Sequence, residues 1–175
     1  MLQTFFYSLW SFSLTNINYM LKYNLEVKKM DRGMLAKELF EQGYNCSQAV
    51  VLAFKDLINI DEEDLKAMSS SFGGGISRLR EVCGCISGMA LVMGYLKGRY
   101  NDDIGKAKHY QLIQELSLKF KEKFNSINCA TLLNIKNEIS EPIPEKRSKE
   151  YYLKRPCGNY IYHMAKIMQE YLENE

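Results

Sequence analysis

Cysteine is the residue type here most able to do chemistry, and five are present: Cys46, Cys83, Cys85, Cys129 and Cys157. A thiolate attacks disulfides and ligates soft metals, so the question is which thiols lose their proton readily. No two are spaced Cys-x-x-Cys, which removes the zinc-finger and thioredoxin-type motifs. Four of them share a placement. Cys46 follows Asn45 and Cys129 follows Asn128, each just inside a predicted helix start. Cys157 follows Pro156 at the start of the last predicted helix, and Cys83 opens another helix after a glycine-rich loop. Unpaired N–H groups at such starts favour a thiolate, and Arg78, Arg80 and Arg155 lie nearby in sequence. A lone buried cysteine is usually a small hydrophobe. Four repeats of one placement argue for chemistry.

The elements that must position these thiols are helical. From Asp31, Leu35, Leu39 and Phe40 recur on one apolar face, and Gly43 is suited to end that helix. Asn45 is a good N-cap for a second helix carrying Ala49, Val50, Ala53, Phe54 and Leu57. Asp61 opens a third, with acidic residues in its first turn. Residues 69–75, a Ser-Gly tract, break the pattern. The stretch 83–97 reads as an apolar helix containing Gly84, Gly88 and Gly94. Each glycine costs nearly 1 kcal/mol in a helix, so three together imply close approach of another backbone or a cofactor. The longest amphipathic stretch, 102–124, places Ile104, Ala107, Leu112, Leu116 and Phe120 on its buried face. A short helix from Cys129, a polar segment broken by Pro142 and Pro144, and a last helix over about 157–172 complete the chain. No strand alternation and no internal repeat is evident. The expected fold is all-α, an irregular bundle of about six helices.

Composition bounds the setting. The 175 residues suit one domain plus a terminal appendage. The 23 basic and 21 acidic residues are scattered rather than gathered into a stripe, which speaks against nucleic acid. Three prolines and a mean hydropathy of −0.30 argue against disorder and against membrane insertion. An odd cysteine count in a helical chain fits reduced thiols in the cytoplasm rather than a secreted disulfide scaffold. Residues 1–30 are expected to form a weakly ordered or loosely packed N-terminal extension ahead of a cysteine-bearing domain, 31–175. The extension lacks the positive n-region and cleavage site of a secretory signal. It is also too short and too interrupted by polar residues to span a bilayer. Met20, Met30 and Met34 are alternative translation starts.

Three runs of residues resemble a known family: 43–49 (Gly-Tyr-Asn-Cys-Ser-Gln-Ala), 72–75 (Phe-Gly-Gly-Gly) and 83–88 (Cys-Gly-Cys-Ile-Ser-Gly). Together with the late single cysteines, they resemble the bacterial and archaeal C_GCAxxG_C_C family, whose members are described as redox-active. The resemblance spans roughly residue 31 to the C-terminus. It implies that Cys46, Cys83, Cys129 and Cys157 are the family's four signature cysteines. Cys85 falls where many members have alanine and is this chain's own variation.

Two chemistries follow. In thiol–disulfide exchange one cysteine attacks and a second resolves, with an unidentified redox partner. Cys83, with its glycine-rich approach and nearby arginines, is the expected nucleophile. Cys83 and Cys85, at i and i+2, should point to different sides of a helix, so the partner should be Cys46, Cys129 or Cys157. In the alternative, Cys46, Cys83, Cys129 and Cys157 hold zinc or an iron–sulfur cluster. A third reading, a non-catalytic helical binding or scaffold protein, would send the cysteines into separate parts of the core. Gly73, Gly74 and Gly75 are candidates to cradle an anion or cofactor. They lack the Lys and Ser/Thr of a P-loop, and the plainer reading is a tight connection that lets Cys83 reach the site. His109 and His163, the only histidines, are expected to be boundary residues rather than ligands.

Overall fold

A computed structural model of the chain describes residues 30–136 and 138–175. The expected extension, 1–30, lies outside the described residues except for Met30. The unit Arg32–Glu175 is all-α. Its described elements are α1 (Arg32–Glu41), α2 (Cys46–Leu52), a 3-10 turn (Lys55–Leu57), α3 (Glu62–Ser70), α4 (Gly84–Lys97), α5 (Asp103–Phe124), α6 (Cys129–Leu133), α7 (Lys149–Lys154) and α8 (Cys157–Glu173). The described residues contain one isolated antiparallel bridge, Val82 with Asn128, and no longer strand.

Most helix starts are written locally. Asn45 accepts from the N–H groups of Ser47 and Gln48 while the Gln48 side chain accepts from the Asn45 N–H, a complete capping box. Asp61, Asp102, Asn128 and Ser148 cap α3, α5, α6 and α7, each side chain accepting from one backbone N–H of the first turn. Gly43 leaves α1 at φ +106°, a conformation suited to glycine.

α2 sits at the centre, touching α1, α3, α4 and α8, while α1 packs most extensively on α8. The core is built from Phe40, Phe54, Met89, Met93, Phe120, Met164 and Met168, all fully or almost fully buried. Arg32 is the main polar tie. Its guanidinium donates to the Ala53 carbonyl at 2.6 Å, pairs with both oxygens of Asp56 and lies 4.7 Å from the Phe54 ring centroid.

Three expectations need correction. The second helix stops at Leu52, because the Ala53 carbonyl is taken by Arg32 and the chain turns into the 3-10 segment; Leu57 is left exposed. The first half of α5 projects outward. Ile104 is 68% exposed and Ala107 is also exposed, so Leu116 and Phe120 are the fully buried anchors, with Leu112 half-buried. The count of about six helices becomes eight among the described residues, and α7 carried no expectation at all.

The glycines of α4 differ in what surrounds them. A Cβ on Gly84 would lie 2.8 Å from the Phe72 carbonyl oxygen and 3.0 Å from Cys46 Cβ. One on Gly88 would lie 2.9 Å from the Ser47 carbonyl oxygen and 3.0 Å from Val50 Cβ. Nothing lies within 4 Å of a Cβ on Gly94. Gly88→Ala should therefore lower the urea-unfolding free energy by about 1–3 kcal/mol through overpacking. Gly94→Ala should be neutral or raise it by up to about 1 kcal/mol through helix propensity.

Burial alone would raise the Asp56 pKa, but the hydrogen bond and charge of Arg32 outweigh it and hold the carboxyl below its ordinary value. A depressed folded-state pKa contributes stability that is present above the unfolded value, about 3.9, and is lost as pH falls through the folded value. Thermal unfolding followed from neutral pH to below pH 4 should show this acid loss. Asp56→Asn should start from a lower melting temperature and lose less of it on acidification.

Candidate functional site

Four cysteines meet because four segments are pressed together by their backbones. Cys46 is the first residue of α2, Cys129 of α6 and Cys157 of α8, and Cys83 is the N-cap of α4. The absent side chain of Gly84 lets the start of α4 lie against the start of α2. Around the Val82–Asn128 bridge, Cys83 N–H donates to the Ile127 carbonyl at 2.8 Å and Cys129 N–H to the Glu81 carbonyl at 2.6 Å. These bonds hold Cys83 beside Cys129. A Cβ on Gly75 would meet Cys129 Cβ at 2.6 Å, so the glycine loop closes directly over that thiol. All five cysteines are free; Cys46 is half-buried and the others are buried.

The thiols shift one another's acidity. Against the cost of burial, Cys157 and then Cys85 favour the Cys46 thiolate and hold it well below the ordinary thiol range, with smaller help from the Arg147 charge and its own backbone N–H. Cys157, opposed by the Cys46 thiolate and by burial, is pushed far up. Cys85, opposed by Cys46 and Cys83 and by burial, moves the same way. Burial raises Cys129 to about 11, reinforced by the Cys83 sulfur and partly opposed by a hydrogen bond from Arg80. The site thus favours a thiolate at Cys46 and disfavours one at Cys85, Cys129 and Cys157.

Two expectations about this chemistry are revised. The amides at the start of α2 are not open, since Asn45 Oδ1 already accepts from Ser47 and Gln48 at 2.9 and 3.0 Å. At α6 the Cys129 N–H is bound to Glu81 and Asn128 takes Thr131. Neighbouring thiols, rather than open helix-start amides, depress the Cys46 pKa. Cys83 stands outside the helix at φ −57° and ψ 134°, so the i, i+2 geometry of a helix does not set its direction relative to Cys85.

Cys46, Cys83, Cys129 and Cys157 line a cavity of about 450 Å³; Cys85 is fully buried and does not line it. Gly73 and Gly74 also line it. Residues 74–78 run continuously at positive φ, from Gly74 at +67° to Arg78 at +72°, and Arg80 follows at +65°. This turn carries Arg78 and Arg80 to the cavity wall, where Arg147, Arg155 and Glu145 join them. Glu145 pairs with Arg155, Arg78 (3.4 Å) and Arg80 (4.0 Å). Arg147 lies 4.7 Å from the ring centroids of both Phe40 and Tyr151, and its buried Nη1 has no hydrogen-bond partner. Tyr151 and Tyr160 complete the wall.

Arg147, Glu145 and Tyr160 carried no sequence signal beyond their charge or ring, since they occupy the polar segment and the last helix without any motif. His109 packs on Tyr100 and His163 on Phe124 and Tyr162, away from the cavity lining. Among the described residues, no group of three or more His, Cys, Asp or Glu side chains is arranged to hold a metal ion. No helix among them is long and apolar enough to cross a membrane.

A lowered Cys46 pKa means its thiolate persists below about pH 8.5, where ordinary thiols protonate. Iodoacetamide at pH 6.5, followed by peptide mapping, should label Cys46 first and Cys129 slowly. Arg147→Gln should move the pH profile of Cys46 alkylation upward.

No curated protein and no solved structure matches the chain. The family model described as "Putative redox-active protein (C_GCAxxG_C_C)" matches residues 44–171 and so takes in every cysteine and the whole cavity wall. With most of its length covered and its thiols gathered at one cavity, the chain belongs to the C_GCAxxG_C_C family.

Proposed function

We propose that the chain is a thiol–disulfide oxidoreductase in which Cys46 attacks and Cys157 resolves. The observation that carries this reading is that Cys46 and Cys157 line the same cavity, with Cys46 the most exposed thiol and Cys157 the neighbour that does most to favour its thiolate. Cys85 also favours the Cys46 thiolate, but it is fully buried and does not line the cavity, which favours Cys157 as the resolving group. The same comparison favours Cys46 over Cys83 as nucleophile.

The Cys46 thiolate attacks one sulfur of a substrate disulfide, forming a mixed disulfide and releasing the other half as a thiolate. That leaving thiolate takes the Cys157 proton. The Cys157 sulfur then attacks the Cys46 sulfur, closes the Cys46–Cys157 disulfide and releases the second half, which picks up a proton from solvent. Two electrons pass from the protein dithiol to the substrate. An external thiol donor restores the dithiol and is itself oxidised. Such a cycle suits a reducing compartment, the cytoplasm.

Incubation with excess bis(2-hydroxyethyl) disulfide and peptide mapping under acid quench tests the assignment. The native chain should yield a Cys46–Cys157 disulfide. Cys157→Ser should stop at a mixed disulfide on Cys46, and Cys46→Ser should lose at least about 100-fold in rate. A Cys83–Cys129 disulfide as the main product would overturn the roles. Stoichiometric iron or zinc in protein purified without oxygen, with no disulfide formed, would favour the four-thiolate site instead.

A further inference from the structure

Four guanidinium groups, from Arg78, Arg80, Arg147 and Arg155, face a cavity whose lining contains a single carboxylate, Glu145. Glu145 is committed to Arg155, Arg78 and Arg80. Arg147 makes no ion pair with a described carboxylate and leaves Nη1 buried without a partner. Arg80 is only 3% exposed, so part of this charge is held away from water, where it is screened least. One thiolate on Cys46 still leaves the wall positive. The volume, about 450 Å³, suits a ligand of small-molecule size.

From this we infer that the cavity admits a low-molecular-weight disulfide bearing carboxylates, which the arginines seat with its S–S bond at Cys46. The inference rests on the exchange reading and adds the substrate class: a small anionic disulfide in place of a protein partner. Arg147, stacked between two aromatic rings beside Cys46, is the group placed to take a carboxylate next to the reacting sulfurs. Arg78, on the same cavity wall, takes the second.

The test compares three small alkyl disulfides: 3,3′-dithiodipropionate (anionic), bis(2-hydroxyethyl) disulfide (neutral) and cystamine (cationic). Each rate is divided by that disulfide's rate with a free thiol in solution, which removes intrinsic reactivity. At low salt the normalised rate should be at least about tenfold higher for the anion than for the neutral compound, and lowest for the cation. The preference should shrink as salt is added, and in Arg147→Gln and Arg78→Gln, checked for native helicity. Equal normalised rates, or a cationic preference, would overturn the inference while leaving exchange intact. Suberate, the same-length dicarboxylate without a disulfide, supplies a separate readout. If no disulfide reacts yet suberate slows iodoacetamide at Cys46, the exchange reading fails and the anion site stands. If suberate gives no protection and no disulfide reacts, both fall.

Discussion

At the crossing of α2 and α4 there is no room for a side chain on Gly84, and the site depends on that vacancy. The start of α4 lies against the Phe72 carbonyl and Cys46 itself, so the helix backbones bring the Cys83–Cys85 segment to Cys46. Gly88 repeats the approach one turn later against Ser47 and Val50. Two glycines in a helix cost conformational entropy, and what they allow is a sulfur cluster fixed by main chain. Gly75 plays the same part on the opposite side, over Cys129.

The second constraint is electrostatic. A thiolate in a mostly buried site must be compensated, and Cys157 and Cys85 do most of that for Cys46. The neighbours then become harder to ionise, which stops the cluster from accumulating negative charge. The arginines, all outside the helix interiors, are held by loops and by Glu145. Helices therefore set the sulfur positions and loops set the field around them.

Much of this was legible in sequence where the signal is local. Asn45 as a cap and Asp61 as a helix start depend on residues only two or three apart, and the all-α class follows from apolar periodicity. The helix-start placement of Cys46, Cys83, Cys129 and Cys157 was legible for the same reason. The consequences that pass through three dimensions were not. The Asn caps that announce the helix starts also occupy the amides that were expected to hold the thiolates. Cys85 read only as this chain's own variation, because its effect on Cys46 passes between two helices. Arg147 sits among prolines and charges that read as solvated loop, and only the folded chain lays it on Phe40.

Cys46 and Cys157 stand more than a hundred positions apart, one opening the second helix and the other the last. A covalent bond between them would tie the second helix to the last. Loop-closure entropy for a span of roughly a hundred residues withdraws about 4.7 kcal/mol from the unfolded state. For a protein of ordinary marginal stability that is a large fraction of the whole, about 5–15 kcal/mol. The oxidation state of one sulfur pair would then govern how long the molecule survives heat or proteolysis, so turnover and durability would be read from the same two atoms.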